Sequence, residues 1–184
     1  DEPPSAAGVV DLGGKAKAVL AGHSHPWVLR ETDQTICWGL GAEGQLGYVN
    51  GESIGVGETP ASMGTVDVGG LVKAIAAGTY HTCAVLTTGK VRCWGDNAFG
   101  QLGYGHKEPV GNVGPPSAEG VVDLGGLATD IVAGDYFTCA ILEGGTVRCW
   151  GDNGYGQLGY GGSDLVGDDE PPSEWGPVAL CPCQ

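Results

Sequence analysis

The sequence predicts an all-β fold: three tandem four-stranded blades of the propeller type, one for each period of an internal repeat, forming an open partial β-propeller or a stack of repeats. Three observations carry this reading. A 56-residue repeat runs through the chain without slippage, glycine is abundant with no helical periodicity to offset its cost, and hairpin signals recur inside each period.

The repeat is read from fixed landmarks. Cys37-Trp38-Gly39 returns as Cys93-Trp94-Gly95 and again as Cys149-Trp150-Gly151, one full period on each time. Gln45-Leu46-Gly47-Tyr48 returns at Gln101 and Gln157 with the same shift, as do the Asp-(Leu/Val)-Gly-Gly turns opened by Asp11, Asp67 and Asp123. Ala-Gly pairs end at Gly22, Gly78 and Gly134. The ends are in register too, because Asp1-Glu2-Pro3-Pro4-Ser5 and Asp169-Glu170-Pro171-Pro172-Ser173 lie three whole periods apart. The expected organisation is one repeat domain over 1–184: a leading strand in 1–16, blades over about 17–72, 73–128 and 129–180, and a cysteine-bearing tail at 181–184.

Within a period the elements follow in order. With 36 glycines and 11 prolines, helix interiors are disfavoured, since glycine loses the most backbone entropy there. Residues 71–77 are apolar enough for a buried strand, and Gly78 ends it. Thr82–Leu86 and Val91–Trp94 flank Thr87-Thr88-Gly89, a hairpin with glycine at the left-handed turn position. A polar, Gly-rich excursion runs from Asp96 to about Gly114, and a fourth strand is expected near 117–122. Four short strands per repeat is how a propeller blade reads.

Charge excludes several partners. The net charge of −14, from 22 acidic against 8 basic residues, surrounds the chain with a field that repels phosphates, so no nucleic acid and no anionic membrane surface is expected as partner. No run of about 18 apolar residues offers a bilayer span. The start, Asp1-Glu2-Pro3-Pro4, carries no basic segment followed by an apolar one and reads as a processed or trimmed end.

These landmarks give the repeat a family resemblance. Gly78, His81-Thr82-Cys83-Ala84, Gly89, Trp94-Gly95-Asp96-Asn97 and Gly100-Gln101-Leu102-Gly103 resemble the regulator of chromosome condensation repeat. The third period matches through Gly134, Thr138-Cys139-Ala140, Gly145, Trp150-Gly151-Asp152-Asn153 and Gly156-Gln157-Leu158-Gly159. Departures are Phe137 in place of His81, and a less regular first period with Gly22-His23-Ser24-His25-Pro26-Trp27 and Leu40-Gly41-Ala42-Glu43. The resemblance implies a propeller whose closed forms have about seven blades, a ring three blades cannot close. The regular, cysteine-bearing repeat looks like the secreted bacterial branch of that family, which implies a secreted, extracellular or cell-surface protein. Nucleotide exchange on a GTPase belongs to relatives whose loops and basic tails match no residue here.

The cysteines follow from hairpin arithmetic. Cys83 and Cys93 lie symmetrically about the turn closed by Leu86 and Lys90, and three steps out from that pair is a non-hydrogen-bonded position with Cα atoms about 4.5 Å apart. That is within disulfide reach. Cys139 and Cys149 repeat the pattern around Leu142 and Thr146, so both pairs are expected as cross-strand disulfides. Cys37 has Trp27 opposite it and, with Cys181 and Cys183, is left over. An intermolecular disulfide among these three, or a frayed tail with free or mutually bonded thiols, are both open.

Trp38, Trp94 and Trp150 are expected in the blade cores, and Tyr48, Tyr104 and Tyr160 as contact candidates on a rim or as packing between blades. His23 and His25 would share one strand face, with no third metal ligand nearby, and Asp164–Glu170 lacks the ligand spacing of a calcium loop. No metal, no cofactor and no catalytic residue is expected, since no Ser-His-Asp, Cys-His or paired-carboxylate arrangement recurs.

Two functions remain in view. The first is a secreted, non-enzymatic structural protein whose open blade faces assemble head to tail with copies of itself into a ring or filament, stapled through Cys37 and the tail. The second is a protein-binding module, a fragment or half of a larger propeller recognising another protein through rim loops.

Overall fold

The computed structural model describes residues 8–179. They form three antiparallel three-stranded sheets in sequence order: β1 (Ala16–Ala21), β2 (Pro26–Arg30) and β3 (Thr35–Cys37); β4 (Val72–Ala77), β5 (His81–Leu86) and β6 (Val91–Gly95); β7 (Ala128–Ala133), β8 (Phe137–Leu142) and β9 (Val147–Gly151). The only helical segments among the described residues are 3-10 turns at Pro60–Met63, Pro116–Ala118 and Pro172–Glu174. The three sheets are open blades that pack face to face.

Local chemistry explains the hairpins. Leu86 N–H donates to Lys90 O (2.8 Å) and Gly89 N–H to Leu86 O (2.8 Å), with Gly89 at φ +80°, the left-handed step that closes the turn. The same closure joins β8 to β9 through Gly145. Each first strand slips register once at equivalent places, between Ala16 and Ala18, Val72 and Ala74, and Ala128 and Asp130, so the repeat extends to its β-bulges.

The blades have three strands and not the four expected. The strand placed near 117–122 begins as the 3-10 turn Pro116–Ala118 and touches the sheet only at Val122, whose N–H donates to Val91 O (2.9 Å). Val66 and Val178 make the corresponding single bonds to Thr35 O (3.2 Å) and Val147 O (2.9 Å). The prolines explain the shortfall: each fixes φ, lacks an N–H and prevents a ladder from forming. The leading strand expected in 1–16 is likewise absent over residues 8–15, while 1–7 lie outside the described residues. Its valine, Val10, matches Val66 and Val122 in register but is 55% exposed where those two are buried, since the described residues hold no hairpin on that side of it.

The core lies between blades. Ala76, His81, Cys83 and Val85 on the second blade are buried toward the third, and Ile75 and Ile131 are buried on the faces that look back along the chain. The two outer faces are covered only in part: on the leading face of the first blade Val28 and its partner Ile36 are buried. On the trailing face of the third blade Val132 is 60% and Ile141 43% exposed, and on the leading face of the first blade Val19 is 68% exposed.

Candidate functional site

The faces that pack inside the arc show what a blade of this chain offers to a neighbour. Across the seam between the first and second blades, His25 Nε2 lies 3.0 Å from Thr82 Oγ1, which donates to Gln45 O (3.0 Å). One period later His81 Nε2 lies 3.0 Å from Thr138 Oγ1, which donates to Gln101 O (3.1 Å). Because each threonine hydroxyl gives its proton to a carbonyl, each histidine must donate from Nε2. Burial holds His25 down to about 4 and His81 down to about 3, so both are neutral. His23 bonds Ser24 Oγ (2.9 Å) at the surface instead of joining His25, which splits the only closely spaced histidine pair.

A tryptophan crosses each seam beside that relay. Trp94 Nε1–H donates to Gln45 O (3.0 Å), and Trp150 lies so close to Gly103 that a Cβ there would sit 2.8 Å from its Nε1. Gly103 also has φ +77°, so the glycine both makes the turn and clears the indole. Trp94 and Trp150 are fully buried. Trp38, expected beside them in a core, is only half-buried, because the preceding blade that would supply its glycine notch is absent from the described residues. Trp27 is the core tryptophan of the first blade: it occupies the register of Cys83 and meets Trp94 edge-on at 5.5 Å. The register alone located this residue, but not its role.

At the axis end of the second seam, Thr79 Oγ1 donates to Asp135 (3.1 Å) and Thr79 N–H to Asp135 O (3.2 Å), whereas at the first seam His23 N–H donates to Gly78 O (3.3 Å). Phe99 and Tyr136 then pack with their rings tilted and their centroids 5.1 Å apart. Beyond them the trailing end opens into a groove of about 400 Å³ bordered by Phe99, Tyr136, Phe137, Tyr155, Asp135 and Asp152. Tyr155 is 97% exposed. Sequence reasoning missed these aromatics, though Glu43, Phe99 and Tyr155 share one register position, which was the available signal.

The structure seats the tyrosines elsewhere than on a rim. Tyr104 Oη accepts from Cys93 N–H and donates to Cys93 O (both 3.0 Å), and Tyr160 clamps Cys149 in the same way (both 3.1 Å). Tyr48 Oη bridges Cys37 N–H (3.4 Å) and Gly64 O (3.3 Å). All three are half-buried packing within their own blades and not free contact residues.

Cys83 faces Cys93 and Cys139 faces Cys149 across their hairpins, each pair disulfide-joined with Cα atoms 4.0 Å apart. Cys37 is different from what the sequence suggested. It is fully buried, its Sγ–H points to Leu46 O (3.2 Å), and burial raises its thiol well above the ordinary range. Another chain cannot reach it without opening the blade, so Cys37 is not an intermolecular staple; Cys181 and Cys183 lie outside the described residues. In the acidic loop, Asp168, Asp169 and Glu170 bring carboxylate oxygens within 4.8 Å of one another, but Asp168 is paired with Lys107 (2.9 Å) and Glu170 accepts from Trp175 Nε1.

Comparison with known proteins agrees with this architecture. The family model described as the regulator of chromosome condensation (RCC1) repeat matches residues 33–85 and 88–141, and a second model of that repeat matches 72–101 and 128–157. The chain is 32% identical over 148 residues to the human E3 ubiquitin-protein ligase HERC2, covering 79% of this chain and 3% of that protein. It is 32% identical over 152 residues to the ultraviolet-B receptor UVR8 of Arabidopsis thaliana, covering 82% and 32%. It thus spans a third or less of these relatives. Among solved structures, human WBSCR16 superposes with a TM-score of 0.68 at 23% identity over 88% of this chain and 38% of that one. Prp20p of Saccharomyces cerevisiae does so with 0.65 at 18% identity over 90% and 38%.

Proposed function

Because this chain belongs to the regulator of chromosome condensation (RCC1) repeat family, we propose that it is a non-enzymatic protein-binding module, an open arc of three blades that works by having another protein cover its uncovered blade faces. One observation carries the reading. Val132 and Ile141 are 60% and 43% exposed on the trailing face, while their register counterparts Ala76 and Val85 are buried under the next blade. Leaving such a face in water forgoes about 25 cal/mol for each Å² of apolar area, and contiguous apolar patches of this kind mark contact sites. Prp20p, a structural neighbour, has binding properties toward Gsp1p and histones, which supports a binding role for the fold without naming a partner for this chain.

The finer form of the proposal is a secreted or cell-surface protein whose faces build an end-to-end assembly, closed or open. The two cross-strand disulfides support an oxidising compartment. A second reading, binding of another protein at the axis-end rim, is favoured by the groove beside Tyr155.

Site-specific photo-crosslinking of the full chain in its native setting tests the choice, with the crosslinker at Ile141 on the trailing face or at Tyr155 on the rim, and adducts identified by mass spectrometry. Covering of the face gives a defined adduct from Ile141. Adducts from Tyr155 alone shift the site to the rim, and adducts from neither position remove the binding module.

A further inference from the structure

We propose that the partner of the trailing face is the leading face of a second copy of this chain, docked as a fourth blade; this rests on the reading that the blade faces are contact surfaces. The argument is one of register. Continuing the repeat past the third blade brings each residue of a second copy to the place three periods further along, so every contact seen across the internal seams predicts a contact across the junction.

At the relay position, His81 of the second blade donates to Thr138 of the third. The outward faces of the first and third blades lack the two halves of this device. Phe137 stands where the third blade would present histidine, and Pro26 stands where the first blade would present threonine. Either change alone would bury an unpaired polar group against the retained partner, at a cost of roughly 1–3 kcal/mol. Together they form an apolar contact, Phe137 against Pro26 of a second copy, that needs no hydrogen bond. The two ends differ from the internal seams in matching ways.

At the axis end, Thr79 of the second blade bonds Asp135 of the third. The same step carries Asp135 onto His23 of a second copy, an acid facing a base in place of a neutral donor. Both side chains are exposed in the single chain. His23 and Ser24 of the incoming copy then fill the groove beside Tyr155 and Asp152, where Tyr136 occupies the corresponding internal place against Phe99. At the tryptophan position, Trp94 donates to Gln45 O, and the step carries the half-buried Trp38 of a second copy to Gln157 O over Gly159. Among the described residues no indole lies against Gly159, where a Cβ would meet Val178 at 3.0 Å. Val19, 68% exposed on the leading face, takes the place of the buried Ile75 and Ile131.

One adjustment is required. Residues 9–12 share the register of 177–180, and Val178 already holds the hydrogen bond to Val147 O, so the incoming copy docks with its 9–12 segment displaced. In the single chain Val9 is 96% and Val10 55% exposed, and the segment is held by Ala61 N–H to Asp11 O (3.2 Å) and by the Arg30 guanidinium to Leu12 O, bonds the displacement must give up.

The test is sedimentation equilibrium of the full chain across a concentration series, with charge reversal. Wild-type chains are expected to associate in whole multiples of the chain mass. D135K and H23D each weaken association at least about tenfold, the first by removing the carboxylate that accepts from His23 and the second by setting two carboxylates together. Mixing the two variants restores it, because the intact Asp135 of one meets the intact His23 of the other and the introduced ammonium meets the introduced carboxylate, and combining both changes in one chain restores it through the introduced pair alone. Since Asp135 also bonds Thr79, I141K serves as a second variant; it keeps the urea midpoint of the wild type and abolishes association. Monomers at every concentration overturn the second copy, while a different protein captured from Ile141 leaves the binding-module reading standing. Association that neither the mixture nor the double variant restores overturns the head-to-tail arrangement.

Discussion

His81 and Thr138, 57 residues apart in sequence, meet at 3.0 Å in the buried seam between the second and third blades, and His25 and Thr82 repeat the contact at the same distance one period earlier. The relay ties neighbouring blades through a polar group that must stay neutral, and its energetics are open to measurement.

Acid should loosen the arc well above the carboxylate range. Both histidines are depressed by burial, to about 3 and about 4, so the unfolded chain takes up protons below pH 6.5 that the folded chain refuses. Stability is therefore complete above that pH and falls as pH drops toward the folded values, by about 2 kcal/mol per histidine at pH 5. Urea midpoints at pH 7.5 and pH 5 measure the drop, and H81F should remove about half of it. An unchanged acid limb in H81F means that His81 is not the group refusing the proton.

Removing the hydroxyl at the centre of the relay is expected to be costly. T138V leaves His81 Nε2–H and Gln101 O buried without partners, an expected loss of about 2–3 kcal/mol. T129V deletes an exposed hydroxyl that bonds Ile141 O and should cost less than about 0.5 kcal/mol. Denaturant titration of the two variants compares them directly.

Glycine at 103 is demanded twice and glycine at 161 once. Both have positive φ, +77° and +82°, but a Cβ at Gly103 meets the Trp150 indole whereas nothing lies within 4 Å of one at Gly161. G161A should cost about 1–2 kcal/mol for the left-handed backbone alone, and G103A about 2 kcal/mol more for the overpacked seam. Equal losses in thermal unfolding would mean that the indole yields freely.

The three equivalent tryptophans should not respond alike. W94A empties a fully buried site and is expected to cost about 3–5 kcal/mol, against about 1–2 kcal/mol for the half-buried Trp38. Measured at low concentration, where chains are apart, similar losses for the two would place Trp38 in a sealed core.

Thiol chemistry should separate the cysteines. C83S/C93S is expected to lose about 2–3 kcal/mol through release of a ten-residue separation in the unfolded chain. Cys37 should resist alkylation in the native protein and become labelled only on unfolding, because its thiol is buried and its ionisation suppressed. Peptide mapping after iodoacetamide treatment reads this, and rapid native labelling of Cys37 contradicts a closed first blade.

Much of the fold was legible because it depends on short-range chemistry. Gly89 and Gly145 set the hairpin closures, and symmetry about those turns brought Cys83 opposite Cys93 and Cys139 opposite Cys149. The fourth strand expected near 117–122 did not form, because Pro115 and Pro116 lead into a 3-10 turn that leaves one bridge at Val122. For Tyr104 and Tyr160 the sequence left rim contact and packing between blades both open, and the structure turns their hydroxyls inward onto the backbone of Cys93 and Cys149 of their own blades.

Periodicity by itself determined the blade count, the strand order within each hairpin and the equivalence of distant positions, because a repeat without insertions carries register directly. Which equivalent residues are buried was decided only by tertiary structure. Trp38 and Trp94, or Ala76 and Val132, occupy the same place in their repeats, yet burial requires a neighbouring blade on the correct side. That neighbour belongs to the arrangement of blades in space and not to the local sequence, so the open faces and the groove at Tyr155 became visible only when the three blades were packed together.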